Sequence, residues 1–213
     1  MAKKIKILIA DDHAIFRHGL KDILAKHFPG ATVGEAATGQ AALEKMREAD
    51  WDIVVLDVTM PGRNGVDVLR EMKQIKPALP VLVLSMHSEE QYAIRVLKEG
   101  AAGYITKIKA PPELVEAVKR VLAGGKFISP ALAEGLVAGS RPRREKPLHE
   151  RLSCREFQVM CLLPSGKSLK AIAGELSVSI QTASTYRARI LKKLGLGSTA
   201  ELIRYTLENE LVD

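Results

Sequence analysis

Trp51 to Gly65 reads WDIVVLDVTMPGRNG. Within it, Ile53, Val54, Val55 and Leu56 make an apolar run of strand length with no polar interruption, the pattern of a strand buried on both faces of a parallel sheet. The run delivers Asp57 to the strand's carboxyl end, and the residues beyond it, Pro61, Gly62, Asn64 and Gly65, are turn formers. Open α/β sheets place their sites at that edge, which makes Asp57 a candidate for chemistry. Taken alone, the window fits a helix cap or a loop carboxylate equally well.

The same alternation continues on both sides. Ile5 to Ala10 reads as a first buried strand, and Ala14 to Phe28 has helical periodicity through Ile15, Leu20, Ile23 and Leu24. Thr32 to Ala36 makes a short strand, and Thr38 can cap a helix through Ala42, Leu43 and Met46. After Asp57, Val66 to Ile75 is helix-like with Val66, Leu69 and Met72 inward. Val81 to Met86 is a fourth strand, followed by a helix from about Glu89 to Glu99 that Gly100 ends, and by a short strand at Gly103 to Ile105. Pro112 suits a helix's first turn, and Leu114, Val115, Val118 and Val121 carry that helix to Gly124-Gly125. Five such units predict a doubly wound five-stranded parallel sheet of α/β class with right-handed crossovers.

The chain has 213 residues, enough for two ordinary domains, and a formal charge of +7 that suits a polyanion partner without requiring one. At the amino end the apolar run Ile7 to Ala10 is too short for a signal sequence or a membrane span, so a cytoplasmic location with no membrane partner is expected. Cys154 and Cys161 stand seven residues apart in a probable helix, about 10 Å along its axis, too far for a disulfide. The scattered histidines make no metal-finger spacing. From about Ala138 the composition shifts to GSRPRREKPLHER, prolines and basic residues without apolar periodicity, which reads as a tether. The expected organisation is a sheet domain over 1–126, a linker with room for a short helix over 127–151, and an all-α domain over 152–213.

That last part is helical throughout. Ser153 with Glu156, and Ser198 with Glu201, have capping-box spacing, while Ser168 and Ser179 stand where two more helices should start, predicting four short helices. Pro164 should end the first of them. Leu169 to Leu176, a turn at Ser177 to Ser179, and a helix from about Ile180 to Leu194 have helix-turn-helix spacing. On the second helix Ala183, Ile190 and Leu194 share the core stripe, and the opposite arc carries Ser184, Thr185, Ala188, Arg189 and Lys192 with Lys193 at its flank. Small residues near its start permit close approach to a major groove, where Arg189 can reach a base edge or a phosphate; a merely solvated face has the same pattern.

The strand ends of the sheet domain converge. Asp11 and Asp12 follow the first strand, Ser85 ends the fourth and Lys107 follows the fifth, all on the edge that carries Asp57. Three carboxylates so close repel one another unless a cation neutralises them, and a hard ion such as Mg2+ takes oxygen ligands. Lys107 and the Ser85 hydroxyl suit incoming phosphoryl oxygens, so the assembly fits phosphoryl transfer to Asp57 as nucleophile.

With ADD at 10 to 12, LDVTMPGRNG at 56 to 65, LSMHS at 84 to 88 and GYITK at 103 to 107, residues 5 to about 124 resemble a two-component receiver domain of flavodoxin-like fold. The resemblance implies Asp57 as phosphoacceptor, Asp11, Asp12, Asp57 and the Thr59 carbonyl around Mg2+, Ser85 and Tyr104 as switch residues, and Lys107 as phosphate partner. Ile108-Lys109 departs from the acidic or proline residue often found there. Leu152 to Leu211, with LSCREFQVMCLL and GKSLKAIAGELSVSIQTASTYRARILKKLGLGSTAEL, resembles a LuxR-type DNA-binding domain, and the order of the two resembles the NarL/FixJ class of response regulators. This implies a recognition helix over Thr182 to Lys193, with Thr182, Ser184, Thr185, Arg187, Arg189, Lys192 and Lys193 facing DNA. It also implies a last helix that pairs subunits through Leu202, Ile203 and Leu207. Pro164, Ile180-Gln181 and Ala183 depart from the family pattern.

Other phosphate chemistries fit less well. A dinucleotide fold needs glycines where Ala10-Asp11-Asp12-His13 stands. A haloacid-type phosphatase carries a second aspartate where Thr59 stands. Gly166-Lys167-Ser168 resembles the end of a P-loop, but Cys161 takes the place of its first glycine. The expected function is a non-enzymatic transcriptional regulator: a sensor histidine kinase phosphorylates Asp57 with Mg2+, which alters dimerisation or exposure of the recognition helix, and the homodimer binds paired half-sites on double-stranded DNA. The alternative is a phosphorylation-independent regulator whose receiver serves dimerisation or ligand sensing.

Overall fold

The computed structural model describes residues 4–60, 65–86, 89–129, 133, 147–176, 178–209 and 211–212. The expected turn residues Pro61, Gly62 and Asn64, Ser177 of the helix-turn-helix turn, and the tether from about 138 as far as 146 lie outside these residues. The chain divides into two compact units, Met1–Ser140 and Arg141–Asp213.

Unit one is a five-stranded parallel sheet in the order β2-β1-β3-β4-β5, with β1 Lys6–Ala10, β2 Thr32–Ala36, β3 Ile53–Asp57, β4 Val81–Ser85 and β5 Gly103–Thr106. This is the doubly wound order that reverses direction between β1 and β3, and it opens a crevice at their carboxyl ends. Its helices are α1 Ala14–His27, α2 Gly39–Glu48, α3 Gly65–Ile75, α4 Glu89–Lys98 and α5 Ala110–Leu122. Every residue of β3 and β4 is buried, as uninterrupted Val, Ile and Leu runs require when helices cover both faces. On one side Leu20 and Leu24 of α1 meet Leu114, Ala117, Val118 and Val121 of α5 over Ile7, Ile9, Ile53, Val55, Leu82 and Leu84. Thr38 caps α2 by accepting from the Ala41 N–H. Gly100 adopts φ +95° just past α4, a left-handed conformation that closes the helix.

Two details shape the carboxyl edge. Gly65 starts α3 directly above β3, where a Cβ would overlap the Asp57 carbonyl oxygen and the Val58 Cα. Past α5, Phe127 pairs in parallel with Gly103: the Tyr104 N–H donates to Phe127 O at 3.1 Å, and the Phe127 N–H donates to Ala102 O at 3.0 Å.

Unit two holds α6 Cys154–Leu162, α7 Leu169–Glu175, α8 Ile180–Leu194 and α9 Thr199–Glu208, with 3-10 turns at Leu148–Arg151 and Leu163–Ser165. Pro164 sits in the turn that ends α6, because its ring removes a helical donor. Ser153, Ser168, Ser179 and Ser198 cap α6, α7, α8 and α9. Ser153 and Glu156 form a complete capping box. Ser198 and Glu201 do not: Ser198 accepts from the Glu201 N–H, but the Glu201 carboxylate reaches one residue further back, to the Gly197 N–H at 2.9 Å. Cys154 is buried and Cys161 half-buried in α6, and neither is in a disulfide.

Candidate functional site

At the end of β3, Asp57 is fully buried and both of its oxygens are engaged. Oδ1 accepts from the Thr59 N–H at 2.8 Å and the Thr59 hydroxyl at 2.7 Å, and Oδ2 accepts from Lys107 Nζ at 2.7 Å. Lys107 bridges to Asp11 Oδ2 at 2.8 Å, while Asp11 Oδ1 takes the His13 N–H at 2.8 Å. The bridge exists because Lys107 follows β5 directly, its N–H held by Ser85 O at 2.7 Å, and its Nζ lies 5.1 Å from the centre of the Phe16 ring. Burial disfavours the ammonium, but the hydrogen bonds and charges of Asp11 and Asp57 outweigh that and raise the Lys107 pKa. For Asp11, burial and the neighbouring Asp57 charge raise the pKa despite Lys107.

Potential ligand atoms of Asp11, Asp12, His13 and Asp57 all lie within 4.8 Å of one another. Asp12 Oδ1 is buried and accepts no hydrogen bond among the described residues; only His13 Nδ1 stands beside it, at 3.0 Å. Three carboxylates against one lysine, with one oxygen orphaned, is a donor set that fits a hard divalent cation. Ser85 is buried at the end of β4, paired in register with Thr106, and Tyr104 is buried within β5 opposite Val83. The structure thus brings Asp11, Asp12, Asp57, Thr59 and Lys107 together and sets Ser85 and Tyr104 on the adjoining strands. Sequence reading missed His13, the Thr59 hydroxyl, and Arg17, whose Nη1 donates to Asp11 O at 2.6 Å.

In unit two, α8 buries Ala183, Ile190 and Leu194 and exposes Thr185, Ala188, Arg189 and Lys192. Thr182 and Ser184 are half-buried beside the cap, where the Thr182 N–H donates to Ser179 Oγ. Arg187 is half-buried, with an Nε that has no hydrogen bond among the described residues. Lys193 is exposed at the flank of α8, and its Nζ meets Glu156 Oε2 at 2.6 Å and Arg151 O at 3.4 Å. Glu156 is buried, which raises its pKa, but Lys193 and the Ser153 donors prevail and lower it. On α9 the expected subunit-pairing set divides. Leu202 is fully buried in its own unit and is no surface residue; Ile203 is half-buried and Leu207 is exposed. The family resemblance implied Leu202 as a pairing residue, but the unit's own core claims it, and five residues on a helix turn Leu207 about 140° away from it.

Residues 7–119 match the family of response regulator receiver domains, and residues 150–206 match the bacterial regulatory proteins of the luxR family. The chain is 35% identical to the response regulator GacA of Pseudomonas syringae over 98% of both chains, and 30% identical to the response regulator UvrY of Escherichia coli over 97% of this chain and 95% of that one. The chain belongs to the response regulators of the NarL/FixJ class. This response regulator is also similar in structure to RcsB of Salmonella enterica serovar Typhimurium bound to promoter rprA with the phosphomimetic BeF3-, with a TM-score of 0.68 and 28% identity over 95% of this chain and 98% of that one. A second neighbour, the response regulator ChrA of a heme-sensing two-component system, has a TM-score of 0.51 and 30% identity over 98% of each chain. No helix among the described residues is long and apolar enough to cross a membrane.

Proposed function

We propose that this DNA-binding transcription regulator is switched by phosphorylation of Asp57 by a sensor histidine kinase. The observation that carries it is the buried Asp57 carboxylate held between Lys107 at 2.7 Å and the Thr59 donors, beside an Asp12 oxygen that accepts no hydrogen bond among the described residues. Asp57 attacks the phosphorus of a phosphohistidine; the P–N bond breaks with its electron pair on the ring nitrogen, an acyl phosphate forms, and the histidine leaves as neutral imidazole because its other ring nitrogen already carries a proton. Lys107 pairs with Asp57 Oδ2 beforehand and passes to a phosphoryl oxygen afterwards. Asp11, Asp12 and the Thr59 carbonyl would hold Mg2+ with Asp57, and the ion would neutralise charge on the transferring phosphoryl oxygens.

The new charge draws the Ser85 hydroxyl, and Tyr104 repacks behind it. Either dimerisation or exposure of α8 follows, and a homodimer then binds paired half-sites through Thr182, Ser184, Thr185, Arg187, Arg189 and Lys192. RcsB, solved on promoter DNA in the presence of the phosphomimetic BeF3-, supports a link between the phosphorylated receiver and DNA binding. Position 59 holds threonine where a haloacid-type phosphatase carries its second aspartate, which favours a phosphoryl acceptor over an enzyme; location in the cytoplasm follows from the kinase and DNA partners. DNA footprinting of wild type and Asp57→Asn, each with and without beryllium fluoride, tests the reading. The expected result is an extended footprint for treated wild type only. Four identical footprints would leave the phosphorylation-independent regulator standing instead.

A further inference from the structure

Arg17 is on α1 and touches neither Asp57 nor Lys107 in any bond described above, yet its side chain is only 13% exposed. Its guanidinium is divided between two partners. Nη1 donates to the Asp11 carbonyl oxygen at 2.6 Å, and Nε donates to Glu35 Oε2 in β2 at 3.2 Å. Glu35 is itself fixed by Lys21 Nζ at 2.6 Å and His18 Nδ1 at 3.1 Å. On its other side, the Asp11 N–H donates to Ala36 O, one residue beyond Glu35, at 3.1 Å. The main chain of Asp11 is thus gripped by β2 twice, once directly and once through Arg17.

The carbonyl in question belongs to the peptide joining Asp11 to Asp12. Rotating that peptide swings the two carboxylates relative to each other, and the same peptide plane sets where the orphaned Asp12 Oδ1 points. We propose that Arg17, braced by Glu35, is a positioning residue that locks the Asp11–Asp12 peptide so that both carboxylates meet one divalent cation. This rests on the Mg2+-dependent phosphorylation proposed above. A simple staple between α1 and β2 would use the Glu35 pair and leave Asp11 alone, whereas the shorter of the two bonds goes to Asp11. Only the planar fork of arginine serves both partners at once.

The test is Mg2+ titration of the full chain by calorimetry for wild type, Arg17→Ala, Arg17→Lys and Glu35→Gln, with hydrogen exchange at the His13 amide of the metal-free proteins and thermal midpoints alongside. Partners that orient a metal ligand are worth ~10–100-fold in affinity, so Arg17→Ala should bind Mg2+ at least ~10-fold more weakly and Arg17→Lys and Glu35→Gln by a smaller factor. The His13 amide should exchange faster in all three. Phosphorylation by a small acyl phosphate should slow at low Mg2+ and recover at saturating Mg2+. Mg2+ affinity within twofold of wild type in Arg17→Ala, with only the thermal midpoint lowered, overturns the inference. Should Arg17→Ala fail to fold, wild-type affinity in Arg17→Lys overturns it. A wild type that takes up neither Mg2+ nor phosphoryl groups overturns the function above and this inference with it.

Discussion

The pocket at the end of β3 and the outer face of α8 both carry charge, but in opposite circumstances. Asp57, Asp11 and Lys107 are buried and bonded to one another, whereas Arg189 and Lys192 stand exposed and, among the described residues, make no ion pair. A group that must attack phosphorus at one position is held before its partner arrives, and the low-dielectric surroundings make each charge count. A side chain that must find a groove keeps its freedom until the DNA supplies the partner. Lys193 marks the boundary between the two regimes, since it lies on the basic helix yet is spent on Glu156.

The comparison breaks most sharply at Asp57. Asp57→Asn should reduce phosphoryl uptake by at least ~10³-fold, read as the mass of the intact protein after exposure to acetyl phosphate. Uptake at the wild-type rate would move the acceptor elsewhere. Gly65→Ala should destabilise unit one by about 2 kcal/mol, because the added methyl meets the Asp57 and Val58 backbone rather than a side chain that can turn aside. Two-domain thermal unfolding should show that transition fall while the helical one stays.

On the exposed side, Arg189→Ala should weaken operator binding by about 1–3 kcal/mol and relax preference at one position if the arginine reads a base. Anisotropy titrations on variant operators separate this from an equal loss on every sequence, which marks a phosphate contact. Lys193→Met should leave the salt slope of DNA binding unchanged, where a phosphate contact would lower it by ~1.

The smallest effect is in acid. Glu156 has its folded pKa lowered, so it contributes stability that is full above the unfolded glutamate value near ~4.3 and is lost as pH falls through the lower folded value. Glu156→Gln should therefore flatten the decline of unit two's urea midpoint below about pH 4.5. An unchanged decline would show that another carboxylate governs it.

Local pattern revealed what local pattern determines. The apolar runs before Asp11, Asp57 and Ser85 predicted strands that the structure reproduces to within a residue, because a strand buried on both faces admits no polar interruption. Serine caps and the Ala183, Ile190 and Leu194 stripe were equally legible. Contacts between elements distant in sequence were not. Arg17 and Glu35 are 18 residues apart on a helix and a strand, with no spacing rule to join them. Leu202 presented the same periodicity whether its cover was a second subunit or its own unit, and only packing decided. Glu201 had the spacing of a capping box, but its carboxylate found the Gly197 N–H first.

The single rung made by Phe127 has a protective consequence. β5 is one of the sheet's two edge strands, and an open strand margin invites pairing with another chain. Phe127 occupies the Tyr104 N–H and the Ala102 carbonyl, and the Lys109 N–H takes the Thr106 carbonyl, so little of that margin is left to template aggregation. Gly103 makes room for this cover, since a Cβ there would come within 2.6 Å of the Phe127 carbonyl oxygen. A receiver cut back to residue 124 would bare the margin, and its light scattering should rise with concentration where that of the intact chain does not.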